Sequence, residues 1–284
     1  MSPPAGPRRG EDGIDRLVVA LDLAAQDMAE IGMAADLAAR FGAALEGIFI
    51  EDANLFRLAA LPVARQIAMG PPTAGSMFDP AQLESDLRAL ARRAEDAVSI
   101  AAKRAGVRWS FRAVRGAVPS AVIAAVASRD LLVLAAPTRA RPALGSLGPL
   151  LCRAALEAER SFALLSRPAG LQRPLVVLGT DARLAIAALG VASQLLAGGG
   201  RTLDIALAAG TVDGIEAAAT AWLRERGIEP RIRRVAAATV AQIQQAALSA
   251  GNDALILAAD LSCLAAGGAE SLAAGSPCPV IVVR

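Results

Sequence analysis

Residues 16–22 read RLVVALD and residues 130–136 read DLLVLAA; further along, 175–180 read LVVLGT and 253–259 read DALILAA. Each run is apolar on successive residues, rich in Val, Leu and Ile, and of strand length. A strand that is apolar at every position is buried on both faces, which is the signature of a parallel sheet covered by helices. The runs also come in the same order twice, and such internal similarity signals two copies of one supersecondary plan.

Working outward from the first run, residues 26–41 form an Ala/Leu-rich helical segment, and Gly42 is placed to end it. ALEGIFIED (44–52) is a second strand. Asp79-Pro-Ala-Gln82 is a helix start with an N-cap acceptor, a first-turn Pro and a capping-box Gln. The helix it opens runs to about residue 105, with Leu83, Leu87, Leu90, Ala94 and Val98 at helical spacing and Gly106 at its end. RWSFRAVRG (108–116) is a third strand, 120–128 a short helix, 150–159 another, and SFALLSR (161–167) a closing strand.

PAGLQRP (168–174) reads as a linker, and the pattern restarts. A helix is expected over 182–196, a strand at TLDIALA (202–208), a helix over 211–226 and a strand at PRIRRVA (230–236). Thr239-Val-Ala-Gln242 is a second capping box, opening a helix that Gly251 closes. A last helix near 268–274 leads into PVIVV (279–283). The expected fold class is therefore α/β, with two tandem doubly wound parallel-sheet domains. Residues 1–15 are a polar, Pro/Gly-rich tail, 16–167 the first domain with an insertion near 53–78, and 174–284 the second domain.

Composition excludes much chemistry. The chain of 284 residues has no histidine and no tyrosine. Ser-His-Asp and Cys-His catalysis, HExxH zinc sites and imidazole proton transfer are therefore out. The three cysteines, Cys152, Cys263 and Cys278, form no CxxC pair, so no metal site and no disulfide framework is expected. Each sits in an apolar context, where a free cysteine packs as a small hydrophobe. Lys103 is the only lysine, against a P-loop or Schiff-base role. A formal net charge of +2 with no basic run gives no footprint for nucleic acid. Mean hydropathy is high, +0.46. Even so, no apolar stretch reaches the roughly 18 residues a membrane helix needs, and residues 1–15 lack a signal-peptide core. The expectation is a cytoplasmic protein that meets neither nucleic acid nor membrane.

The ending GSPCPVIVVR (275–284), and Asp22 at the end of the first strand, resemble the universal stress proteins. The resemblance covers roughly 16–167 and 174–284, as a tandem pair. It implies a flavodoxin-like fold, ATP or AMP binding, and a role in stress physiology without conventional catalysis. It implies that Asp22 contacts adenine. It also implies a loop of pattern G-x2-G-x9-G-[ST] after the fourth strand. In the first domain those positions read Ala135-x2-Thr138-x9-Gly148-Pro149, so Gly148 alone is kept. In the second, Thr180 stands where the first strand's Asp would be, and the chain between Leu257 and the SPCP ending is too short for the loop. Family members pair their last strands between two chains. Here both strands, FALLSR and VIVVR, are in one chain, and each would leave an apolar edge alone, so an intrachain pseudo-dimer is expected.

The candidate binding residues follow from chemistry. Open α/β sheets bind ligands at the carboxyl ends of central strands, where Asp22 and the loop 138–148 fall. Arg139 and Arg141 can hold a phosphate that the lost glycines no longer cradle. Gly145, Ser146 and Gly148 offer backbone amides ahead of a helix N-terminus. Nucleotide is expected in the first domain only. No catalytic and no metal-ligating residues are assigned. Residues 51–67, with Phe56, Ala60, Val63 and Ile67 on one helical face, are a candidate lid or docking segment for a protein partner. The competing reading of the whole chain is a nucleotide-dependent enzyme or a flavoprotein-type subunit.

Overall fold

The structure is a computed structural model that describes residues 13–21, 28–59, 65–66, 76–77, 80–135, 148–165, 171–196, 201–208, 210–211, 213–235, 239–265, 268, 271–272, 276 and 278–284. The first unit contains β1 (Arg16–Leu21), α1 (Met28–Phe41), β2 (Ala44–Asp52), α2 (Ala53–Ala59), β3 (Arg65–Gln66), β4 (Ser76–Met77) and α3 (Pro80–Ala105). It continues through β5 (Trp109–Gly116), α4 (Val118–Ala125), β6 (Asp130–Ala135), α5 (Gly148–Glu157) and β7 (Ser161–Leu165). The second contains β8 (Pro174–Leu178), α6 (Ala182–Leu195), β9 (Thr202–Ala208), α7 (Asp213–Arg224) and β10 (Glu229–Val235). It ends with α8 (Val240–Ser249), β11 (Ala254–Ala258), α9 (Ser262–Ala265) and β12 (Val280–Val283).

Ten of these strands form one sheet, in the order β10-β9-β8-β11-β12-β7-β6-β1-β2-β5. Within each unit every pairing of this sheet is parallel, the separate two-stranded β3–β4 ribbon being antiparallel. Each unit's order reverses at its first strand, β1 or β8, which is the doubly wound topology. The two halves meet at one antiparallel pair, with Val280, Ile281 and Val282 of β12 opposite Leu164, Ala163 and Phe162 of β7. Neither closing strand therefore has a free edge. The outer strands β5 and β10 do, and they carry Arg112 and Arg115, and Arg231, Arg233 and Arg234, a charge pattern that discourages further strand addition.

The central strands β7, β8, β11 and β12 are buried at every position, as strands covered on both faces must be. The core lies in two layers, one per face. One layer is built with α1, α3, α6 and α7, the other with α4, α5 and α8, and both run through the two units without a break. Helix ends follow the sequence signals. Gly42 and Gly106 take φ of +59° and +69° just past α1 and α3, a conformation that costs any residue with a Cβ. Thr239 and Gln242 form the full reciprocal capping box at α8.

Some boundaries move. α4 begins at Val118, earlier than expected, because Pro119 suits a helical first turn, where the N–H that proline lacks would have no intrahelical acceptor. α5 begins at Gly148. After β11 the chain turns into α9 at Ser262, ahead of the helix expected near 268–274, of which only 268, 271 and 272 are described and are helical. Asp79 lies outside the described residues. No helix among the described residues is long and apolar enough to cross a membrane.

Candidate functional site

The topology places one candidate cleft per unit, at the carboxyl ends of β1 and β6 and of β8 and β11. In the first unit, Leu21, Glu30, Ile31, Val133, Leu134 and Leu165 line a recess of about 20 Å³ between β1, β6, β7 and α1. Asp22 would follow Leu21 directly, but it lies outside the described residues, as do Arg139, Arg141, Gly145 and Ser146. Gly148 is described and opens α5. Its backbone therefore stands at the helix start that follows the loop, where free amides favour an anion.

In the second unit the end of β8 is occupied by the protein itself. Asp260 sits two residues past the end of β11. Its Oδ2 accepts from the Thr180 N–H at 2.5 Å, the Asp181 N–H at 2.7 Å and the Thr180 hydroxyl at 3.2 Å. Among the described residues its Oδ1 is buried with no donor. Gly179 makes the approach possible, since a Cβ there would run into the Asp260 carboxylate. One residue on, Asp181 caps α6, accepting from the Arg183 and Leu184 amides at 2.8 and 3.1 Å. The amides at this strand end and helix start are thus already bound by two carboxylates, which also repel an anion there.

Thr180, the residue in place of the first strand's Asp, is turned to this internal contact. Asp260→Ala is expected to leave the Thr180 and Asp181 amides without their acceptor and to cost about 1–3 kcal/mol. Urea unfolding should show it as a lower midpoint at unchanged slope.

The segment after β2 is tied to its own unit. Glu51 pairs with Arg115 at 2.9 Å, and Arg115 in turn lies 3.9 Å over the Phe56 ring of α2 and reaches Glu84 of α3 at 3.4 Å. Asp52 accepts from the Asn54 N–H at 2.9 Å, turning the strand end into α2. Glu51 and Asp52 are therefore an ion pair and a turn, not an acidic pair. Ala60, Val63 and Ile67 lie outside the described residues.

At the opposite end of the first unit's sheet is a charge cluster that the sequence reading did not anticipate. Arg16, the first residue of β1, pairs with both Asp130 of β6 and Glu46 of β2, and Arg112 of β5 reaches Glu46 at 2.8 Å. Both carboxylates are buried. Asp130 also accepts from the Ala127 N–H at 2.7 Å. These contacts hold the Arg16 guanidinium above its ordinary range, chiefly through the hydrogen bond to Asp130. The cluster sits at the strands' amino ends, opposite the clefts at their carboxyl ends, and it locks four strands together. The available signal was a lone Glu inside the apolar run ALEGIFIED.

The cysteines are free. Burial pushes the Cys278 and Cys263 thiols up, disfavouring the reactive thiolate. A thiol that is harder to ionise when folded lends stability below the ordinary thiol range, about pH 8.5, and this stability fades as pH rises above it. Unfolding midpoints should therefore fall between neutral pH and about pH 10, and Cys278→Ala should flatten part of that slope.

No protein-family model matches the chain, and no curated protein matches it. Solved structures do. A universal stress protein from Archaeoglobus fulgidus DSM 4304 superposes with a TM-score of 0.68 at 14% identity, over 96% of this chain and 97% of that one. A functionally unknown protein from Pseudomonas aeruginosa PAO1 superposes with a TM-score of 0.54 at 15% identity, over 96% and 93%. At such identities the likeness is one of fold. It extends over both units, so the tandem, doubly wound architecture is that of a universal stress protein structure.

Proposed function

We propose that this chain is a diverged tandem universal stress protein, a non-enzymatic regulatory protein of the cytoplasm that binds ATP or AMP weakly in its first unit only. The observation that carries the asymmetry is Asp260, whose carboxylate occupies the Thr180 and Asp181 amides of the second cleft. The fold likeness supports the class, and the absence of histidine and tyrosine from the chain supports a role without acid–base chemistry. In the first unit, Asp22 takes the adenine or ribose edge. The phosphates run toward Arg139, Arg141 and the amides from Gly145 to Gly148.

Calorimetry with ATP on the full chain tests the reading. Loss of one charge-assisted contact costs about 1.5–3 kcal/mol, so Arg141→Ala should weaken binding about ten- to a hundredfold. Arg231→Ala, on the outer strand β10, should leave it unchanged. Equal loss in both variants, or no binding of the wild type at millimolar nucleotide, defeats the proposal. A flavin recovered in stoichiometric amount with the purified protein would favour an enzyme or electron carrier instead.

A further inference from the structure

A cavity of about 390 Å³ lies where the two units join, at the far end of the first unit's strands from that unit's cleft and beside the start of α6 in the second. Its walls come from the amino ends of β6 and β7, the carboxyl end of β12 and one face of α6. Four arginines line it, Arg129, Arg160, Arg183 and Arg284, against two carboxylates, Asp130 and Glu159. The carboxylates do not neutralise it. Asp130 is held by Arg16. Glu159 is largely exposed and approaches Arg284 only to 3.8 Å. Arg129 is matched by Asp15 at 2.8 Å.

Arg160, Arg183 and Arg284 remain. They reach the cavity from the α5–β7 turn, from the first turn of α6 and from the residue after β12, so they come from both units. Among the described residues neither Arg160 nor Arg183 has a side-chain acceptor. The Nε atoms of Arg160 and Arg284 are buried without one. Buried donors left unpaired in a native fold call for an absent partner, and a guanidinium asks for an oxyanion. Ile14, Ala187 and Val191 add an apolar wall beside the charges. The volume falls within the range of about 300–1,000 Å³ typical of small-molecule sites.

We propose that this seam cavity binds an organic phosphate, its phosphoryl group held by Arg160, Arg183 and Arg284 and its carbon frame laid against Ile14, Ala187 and Val191. A tetrahedral dianion suits guanidinium forks that converge from separate segments better than a single planar carboxylate does. Because the arginines belong to both units, the bound anion bridges them. The site is independent of the nucleotide cleft, which lies at the other end of the first unit's strands.

The test is calorimetric titration of the full chain with inorganic pyrophosphate at constant ionic strength. The wild type should bind at submillimolar concentration. Arg183→Gln and Arg160→Gln should each weaken binding about tenfold or more. Arg141→Ala, which removes a phosphate contact of the first unit's cleft, should leave it unchanged. Arg183 is exposed, so its replacement leaves the fold intact, and Arg160→Lys, which keeps the charge, should recover part of the affinity lost in Arg160→Gln. No binding by the wild type at millimolar pyrophosphate overturns the proposal, as does binding that ignores both arginine variants. Binding lost in Arg141→Ala places the anion in the first unit's cleft and overturns it equally.

Discussion

Phe162→Ala is expected to destabilise the protein by about 3–5 kcal/mol, and in a single transition. Phe162 is in β7, fully buried and opposite Val282 of β12 across the one antiparallel pair in the ten-stranded sheet. Its ring packs in the core layer that also contains Val280 and Val282 of the second unit and Leu132 and Leu164 of the first. The cavity left by truncation would open at the seam, where neither unit can collapse into it without drawing strands from the other. Both halves should therefore lose stability together. Circular dichroism and the fluorescence of Trp109 and Trp222, one in each unit, should report coincident urea transitions at a lower midpoint. Two separated transitions would show that the seam is not shared core.

The second large effect is at the other end of the sheet. Arg16→Met should cost about 3 kcal/mol, because it leaves Glu46 and Asp130 buried without their common cation. The value falls at the low end for a broken buried pair since the Arg16 side chain is 32% exposed and Arg112 still reaches Glu46. A triple variant, Arg16→Met with Glu46→Gln and Asp130→Asn, should recover much of the loss, because it removes the unpaired charges rather than only their partner. If Arg16→Met unfolds at the wild-type midpoint, the cluster is ornamental to stability.

Much of the fold was legible in the sequence because burial on both faces leaves no room for polar residues. The interiors of RLVVALD, DLLVLAA, LVVLGT and DALILAA are apolar for that reason, with polar residues only at their ends, and β1, β6, β8 and β11 fall on them. Helix ends were legible where a specific atom was needed, as at Gly42, Gly106 and Thr239. The helix expected near 268–274 is helical at its described residues, but α9 ahead of it was missed, because its start follows a tight turn at Asp260 whose acceptor role is set by Thr180 and Asp181, 80 and 79 positions away in the chain. The Arg16 cluster was missed for the same reason, since Asp130 is 114 residues from Arg16 and single-residue signals do not announce such partners. The expectation of no nucleotide in the second unit was drawn from Thr180 and the short loop; the Asp260 carboxylate on the Thr180 and Asp181 amides was not anticipated.

The central claim is that the second cleft is closed by the chain's own carboxylate and that nucleotide goes to the first. A crystal structure of the full chain grown with millimolar ATP or AMP tests it most directly. The account predicts nucleotide at the carboxyl ends of β1 and β6, beside Asp22, with Asp260 still on the Thr180 and Asp181 amides. Nucleotide over β8 and β11, with Asp260 swung away from those amides, would contradict it.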